Sequence, residues 1–320
     1  MSFGYDNPRF LNHVQAAALP LLLGIAARPG ATWRMRAMVI VALTLQLFLL
    51  AATLGRSTMV GLLAATAIVL LVLGRDARRW LVIGLGAAVF AGTIYAGLQS
   101  GAARLQQTVG YAPTVKELTS DHSREYLWDM ALSDARSSPW LGVGPMHFAH
   151  EVNAKGAHPH NQYLQAAAEL GWPATMILVA LMLRGIWAMA RALRMERDVD
   201  RRAIGSGLIG ACVAVAVDAC FSGNLVMPVS QIWIFLVIGL SFDWYRGRSR
   251  SADGVTAPPI AGSAPVWLVV RMALVAVALW SCAAALEEIQ TPTPHLHLEG
   301  GRVPSPHDVS RPRFWSYGWF

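Results

Sequence analysis

Three residues in this sequence combine a basic side chain with a position that could serve binding or catalysis: Arg56, Arg124 and His160. Arg56 occupies a tight Gly55-Arg56-Ser57 turn between two apolar runs. A charge costs about 2.5–3.5 kcal/mol in the middle of a bilayer and less near its surface. The arginine therefore either extends to lipid headgroups or binds an anion. Because most other arginines fall in loops predicted on the opposite side of the membrane, we favour the bound anion.

His160 precedes a polar stripe on a predicted helix. Asn161, Gln165 and Glu169 are spaced four residues apart, which places them on one helical face, and they are predicted to contact a substrate. Pro159 suits the first helical position. The helix dipole at that end disfavours protonation of His160 and keeps its imidazole available as a base. The same helix end would offer free amide N–H groups to a phosphate.

Arg124 lies in the first turn of a second predicted helix, in the long polar segment 99–160. Asp121 or Ser123 can cap this helix. Its apolar residues recur at helical spacing, so we expect it to lie along the membrane surface; they are Leu127, Met130 and Ala131. A turn over 138–145, rich in proline and glycine, then returns the chain to the bilayer.

The remaining histidines and one acid allow other interpretations. His147, His150, His158 and His160 match no zinc-ligand spacing, and no cysteine accompanies them, so neither a metal nor another cofactor is expected. His158, which precedes Pro159, is expected to matter less than His160. Asp218 lies inside an apolar run and is a candidate substrate-binding residue by that position. Alternatively, it pairs with Arg56 or with a backbone group.

Composition places all these residues in a membrane protein. The 320 residues are 55% hydrophobic and 14% charged, with mean hydropathy +0.43, too little charge to cover a soluble surface. The net charge of +7 comes from arginines clustered in short loops between apolar runs, which indicates topology signals and not nucleic-acid binding. Cys212, Cys220 and Cys282 all lie in apolar runs, so no disulfide framework is expected.

The apolar runs predict an all-α integral membrane fold of about eight transmembrane helices. Arginine-rich loops alternate with arginine-poor ones, and the positive-inside rule then places the segment 99–160 outside. Residues 1–250 form the main membrane domain, 251–265 a cytoplasmic linker, 266–286 an additional span and 287–320 an outer tail. Both termini fall outside, so we expect an odd number of helices to precede residue 1. The predicted spans are 12–27, 37–54, 57–74, 80–98, 161–183, 203–221, 229–245 and 266–286.

Several of these residues occur in a recognisable order. Arg124 is followed by Trp128, then by Pro-Trp-Leu-Gly-Val-Gly at 139–144, His-Asn-Gln-Tyr-Leu-Gln at 160–165 and Glu-Leu-Gly at 169–171. This series, with the Gly55-Arg56-Ser57 turn, resembles the signature of the O-antigen ligase and O-antigen polymerase superfamily. The resemblance covers about residues 1–245.

The resemblance implies a GT-C-like glycosyltransferase in a bacterial inner membrane, a multi-pass protein with its active site facing the periplasm. Its donor would be an undecaprenyl-diphosphate-linked glycan, and its acceptor a lipid A–core sugar, a growing polymer or a protein. Arg56 and Arg124 would hold the diphosphate without a metal, and His160 would deprotonate the acceptor hydroxyl, with inversion. A transporter or an inactive membrane fragment is the alternative from another class. A transporter should show paired interrupted helices and a site at mid-membrane, whereas these polar residues collect at the outer ends of spans.

Overall fold

The structure is a computed structural model that describes residues 8–104, 122–150 and 158–252. The predicted span 266–286 and tail 287–320, and all but the first two residues of the linker 251–265, lie outside the described residues. The chain divides into two compact units, Met1–Pro145 with His158–Ser249, and Met146–Ala157 with Arg250–Phe320. Every site residue discussed below belongs to the first unit.

The described residues form helices and no strands. Helices occur at each predicted span in this part of the chain, so the all-helical class is confirmed there. Three stretches are long and apolar enough to cross a membrane, Trp33–Thr53, Arg56–Gly101 and Gln162–Met195, and Phe10–Ala26 is a shorter apolar helix. The count of eight crossings stays a prediction. The helices are α1 Pro8–Ala26, α2 Trp33–Thr53, α3 Arg56–Leu73, α4 Arg78–Arg104, α5 His122–Ser137, α6 His147–His150, α7 Gln162–Met195, α8 Val199–Asp218 and α9 Pro228–Ala252.

Helix α8 forms the centre of the first unit because small residues let its neighbours approach closely. A Cβ at Gly24 of α1 would lie 2.7 Å from the Cα of Gly207, and a Cβ at Gly61 of α3 would lie 2.6 Å from the carbonyl oxygen of Ala214. Packing of this kind replaces the hydrophobic effect, which is weak between helices in lipid. It fixes α1 and α3 against α8 along most of their length.

The basic loops meet at the N-terminal end of α8. Asp200 there accepts the backbone N–H of Gly30 at 2.8 Å and lies 3.4 Å from Nη2 of Arg28. The hydrogen bond from the Gly30 N–H is the main cause of the lowered pKa of Asp200, and the hydrogen bond and charge of Arg28 lower it further. Arg202 pairs with Asp76 of the 3₁₀ turn Gly74–Ala77 that joins α3 to α4. These contacts bring together three arginine-rich loops, which carry Arg28, Arg75 and Arg202, at one end of the bundle, which we call the arginine-rich end.

The orientation of the bundle can be measured with single cysteines in a chain whose native cysteines are replaced by alanine. Tyr126 and Trp140 are 48% and 76% exposed, and both lie in the segment predicted to be outside. We expect Tyr126→Cys and Trp140→Cys to react with a membrane-impermeant thiol reagent on intact cells. Arg75→Cys and Arg197→Cys, exposed at the arginine-rich end, should react only after permeabilisation. The opposite pattern would reverse the predicted topology.

Candidate active site opposite the arginine-rich end

A buried carboxylate organises the other end of the bundle. Asp218 ends α8 and has no exposed surface. Its Oδ2 accepts the hydroxyl of Ser222 at 2.7 Å and the amide of Asn224 at 3.1 Å, and its Oδ1 accepts the hydroxyl of Thr58 at 3.0 Å. Nδ1 of His13 lies 3.3 Å from Oδ2. The carboxylate therefore connects α1, α3 and the turn that follows α8.

These contacts also fix the turn that carries Arg56. The Thr58 hydroxyl lies 3.0 Å from the carbonyl oxygen of Asn12 as well as from Asp218. Asn12 donates to the hydroxyl of Thr53 at 2.8 Å, and a Cβ on Gly55 would lie 2.7 Å from Cγ of Asn12. The residues before and after the turn, Thr53 and Thr58, thus both contact Asn12 of α1. Arg56 begins α3 from this fixed base, and its side chain is exposed.

The two histidines before α7 contact each other and the wall made by the turn after α8. A Cβ on Gly223 would lie 2.5 Å from Cε1 of His158, so the imidazole packs flat against this glycine. The backbone N–H of His160 donates to Nδ1 of His158 at 3.2 Å, and the two ring centroids are 4.1 Å apart. An acceptor at Nδ1 assigns the proton of a neutral His158 to Nε2. His158 therefore contacts both the turn after α8 and the backbone of His160.

His160 itself adopts a backbone conformation that non-glycine residues rarely occupy, with φ of 52°. Such conformations cost free energy and persist where surrounding contacts enforce them, often at functional sites. Two contacts flank it: the His158 acceptor, and the carbonyl of Pro159, which accepts the indole N–H of Trp128 at 2.9 Å. Together they orient the segment 158–160.

The helix after His160 starts later than predicted, and its amides are not free. Helix α7 begins at Gln162, and Asn161 is its N-cap, accepting from the N–H groups of Tyr163 and Leu164 at 3.1 Å each. The N–H of Gln162 donates to the carbonyl of Ala219 at 2.9 Å. The expectation that Pro159 opens the helix, and that its first amides are available to a phosphate, is therefore wrong in this structure. The side chain of Asn161 and the carbonyl of Ala219 already accept these N–H groups.

Helix α5 brings Arg124 to the histidines. Its buried face includes the predicted Leu127 and Ala131, with Ala135 one turn further on, while Met130 is half-buried. This face packs on α7. The pKa of His158 is lowered to about 3, first because the imidazole is buried and then by the charges of His160, His13 and Arg124. Arg124 thus contributes to the lowered pKa of His158.

The glycine-rich segment before α7 is matched to a break inside that helix. Gly171 interrupts α7 with φ of 83°, which frees two carbonyl groups. The N–H of Val143 donates to Ala168 at 2.8 Å, and that of Gly144 to Glu169 at 3.2 Å. A Cβ on Gly142 would lie 2.2 Å from the carbonyl carbon of Glu169, so only glycine fits there. The two motifs at 139–144 and 169–171 form one backbone clamp.

The residues predicted to contact substrate mainly hold the framework together. Gln165 and Glu169 are buried and bond to each other, with Nε2 3.2 Å from Oε1. Asn161 caps α7, and Asp218 is enclosed. Sequence reasoning missed His13. Its signal was a polar group, Asn12, His13 and Gln15, at the start of an otherwise apolar run. Within the described residues, no group of three or more His, Cys, Asp or Glu side chains could hold a metal ion.

The fold and site define a helical membrane protein with cationic and imidazole side chains gathered at one end of its bundle. The model of the family described as O-antigen ligase matches residues 39–179, a stretch that contains Arg56, Arg124 and His160. No curated protein matches the chain. The family match supports the predicted resemblance to the O-antigen ligase and polymerase superfamily over these residues. It indicates glycan transfer of the ligase or polymerase type by a membrane enzyme.

The backbone clamp predicts a sharp difference between two glycines. Gly142→Ala should destabilise the protein by roughly 2 kcal/mol or more, because the residue has φ of 71° and no room for a methyl group. Gly185→Ala is the matched control, since Gly185 lies in the regular part of α7 with open space around it. Thermal unfolding in detergent measures both. Equal midpoints for the two variants would contradict the clamp.

The low pKa of His158 predicts an acid-dependent loss of stability. An unfolded histidine has a pKa near 6.5, so the unfolded chain takes up a proton that the folded site excludes down to about pH 3. Stability should therefore fall as the pH decreases from about 6.5. His158→Gln keeps an acceptor for the His160 N–H but does not titrate, so its unfolding temperature should fall less steeply over that range. His147→Gln, at an exposed histidine, should behave as wild type. A slope at His158→Gln equal to wild type would mean that another group is responsible.

Proposed function

We propose that this protein transfers a glycan from undecaprenyl diphosphate to a hydroxyl group of a lipid A–core sugar. The transfer takes place on the periplasmic face of a bacterial inner membrane. The observation that carries the proposal is the contact between the helix of Arg124 and the segment of the His158–His160 pair, where Trp128, one turn after Arg124, donates to the carbonyl of Pro159 at 2.9 Å. This contact lies at the bundle end opposite the arginine-rich loops. Arg124, His158 and His160 all lie within the stretch that matches the O-antigen ligase family. The reaction needs no metal because arginines supply the positive charge.

Arg56 and Arg124 hold the diphosphate of the donor. The leaving diphosphate gains negative charge as the glycosidic bond breaks, and a guanidinium can bind two of its oxygens at once. Arg56 starts α3 on a turn fixed to α1, and Arg124 starts α5, which packs on α7. Each guanidinium group therefore belongs to a helix that is held by its neighbours. This limits how far the two charges must move during the reaction.

His160 accepts the proton of the acceptor hydroxyl. The hydroxyl oxygen then bonds to the anomeric carbon, and the carbon–oxygen bond to the diphosphate breaks, so that the lipid diphosphate leaves with both electrons. A single displacement of this kind inverts the anomeric centre. His158 is a positioning residue, because its Nδ1 accepts the backbone N–H of His160 and helps to hold the left-handed conformation.

Asp218 also acts through other residues. It bonds to Thr58, next to the Arg56 turn, and to Ser222 and Asn224, which flank the glycine that supports His158. Its full burial argues against direct contact with a substrate. We assign Asn161, Gln165 and Glu169 to the same supporting framework on the basis of their buried or capping contacts.

The test is a set of variants of the full chain, assayed for glycan transfer and for binding of the lipid-linked donor. His160→Ala should reduce transfer by about 10²–10⁴-fold, the usual contribution of a general base, while donor binding persists. Arg124→Lys should lose most transfer and weaken donor binding, because an ammonium group cannot replace the planar fork.

Two substitutions serve as matched controls. Arg136→Lys changes an exposed arginine in the last turn of the same helix α5, and His147→Ala removes an exposed histidine; both should leave transfer near wild type. Donor binding lost in His160→Ala would assign that residue to binding and exclude the role of base. Arg124→Lys with wild-type activity would reduce Arg124 to a surface charge.

A further inference from the structure

A cavity of about 470 Å³ lies at the arginine-rich end, far from the candidate active site. Helix α8 separates the two, and its 20 residues span about 30 Å. Arg75, Arg78 and Arg79 line the cavity from the 3₁₀ turn and the start of α4, and Arg202 lines it from α8. Four guanidinium groups around one opening make it strongly cationic.

Only part of this charge is used within the fold. Arg202 pairs with Asp76, the acidic residue of the cavity, and also donates to the carbonyl of Glu196 at 2.7 Å. By contrast, the exposed guanidinium groups of Arg75 and Arg78 make no hydrogen bond or ion pair with the described residues. Trp80 is only 3% exposed, and its indole N–H likewise has no acceptor in that part of the chain. The cavity therefore offers hydrogen-bond donors and positive charge that could bind an anion.

An apolar cleft of about 400 Å³ adjoins this cavity, and Trp80 lines both. The cleft runs between α1, α2, α3 and α4, and it extends along α4 from Trp80 to Gly92. The twelve helical steps between these two residues cover about 18 Å, close to the depth of one leaflet of the hydrocarbon core, about 15 Å. Its other lining residues include Leu43, Leu47, Leu63, Leu81 and Leu85.

We propose that the cavity and the cleft together bind one anionic glycerophospholipid. The phosphate of its headgroup lies among Arg75, Arg78 and Arg79, and one acyl chain lies in the cleft beyond Trp80. Basic pockets between transmembrane helices suit anionic headgroups, and arginine binds phosphate oxygens through a planar fork. A free phosphate would use the cavity alone and would leave the adjoining apolar cleft unexplained. The proposal does not depend on the reaction proposed above.

Native mass spectrometry of the purified full chain tests the proposal with defined probes. Dioleoyl phosphatidylglycerol should bind more tightly than dioleoyl phosphatidylcholine, which has the same chains and no net charge. The double variant Arg75→Gln/Arg78→Gln should weaken phosphatidylglycerol binding by roughly tenfold or more, as expected from about 1 kcal/mol per arginine near a lipid surface. The control Arg34→Gln/Arg191→Gln removes two arginines that lie over Trp33 and Trp187, and it should bind as wild type.

The acyl-chain half of the proposal has its own pair of variants. Gly92 lines the cleft and has open space at its Cβ, so Gly92→Leu should narrow the cleft and weaken binding of dioleoyl phosphatidylglycerol. Gly86→Leu, at an equally open glycine of α4 outside the cleft, should not. Equal binding of the two lipids, equal losses in test and control variants, or displacement of the lipid by millimolar inorganic phosphate would each overturn the lipid site.

Discussion

The described structure at the site depends on the need to satisfy one buried carboxylate. An ionised carboxyl group removed from water costs several kcal/mol unless donors surround it. Asp218 meets this requirement with Ser222, Asn224 and Thr58, and with His13 nearby. Because these partners come from three separate segments, the carboxylate can be satisfied only when α1, α3 and the turn after α8 are assembled. Its desolvation therefore specifies the geometry of that end.

The same requirement reaches the histidine segment 158–160 through further contacts. The turn held by Asp218 presents Gly223, and only a glycine leaves room for the ring of His158. His158 in turn accepts the N–H of His160, while Trp128 donates to the carbonyl of Pro159. Each step fixes a main-chain group of the segment 158–160, which carries His160. Asp218, His158 and Trp128 thus determine the position of the segment that carries His160.

The sequence predicts the elements better than the contacts between them. Long apolar runs locate the helices because a bilayer requires about 20 such residues, and charge in unexpected places singles out Arg56 and Arg124. The spacing of Gln165 and Glu169 shows that they share a face, but periodicity cannot say whether that face meets a substrate or another helix. The structure buries it. The bond between Thr58 and Asp218 spans 160 residues of sequence, so no local pattern contains it, and His13 was missed for the same reason.

The charged groups are enclosed at one end of α8 and exposed at the other. This difference depends on which groups water or lipid headgroups can solvate. At Asp218 the partners are internal, so the charge is enclosed and the geometry is rigid. At the other end, Asp200 pairs with Arg28 and Arg202 pairs with Asp76, but Arg75 of the 3₁₀ turn and Arg78 at the start of α4 are exposed. Guanidinium groups with no partner in the described fold are tolerated only near an interface, where headgroups or water can solvate them. A chain with an enclosed acid at one end and outward arginines at the other can gain a substrate site and a lipid site without either set of charges disturbing the other.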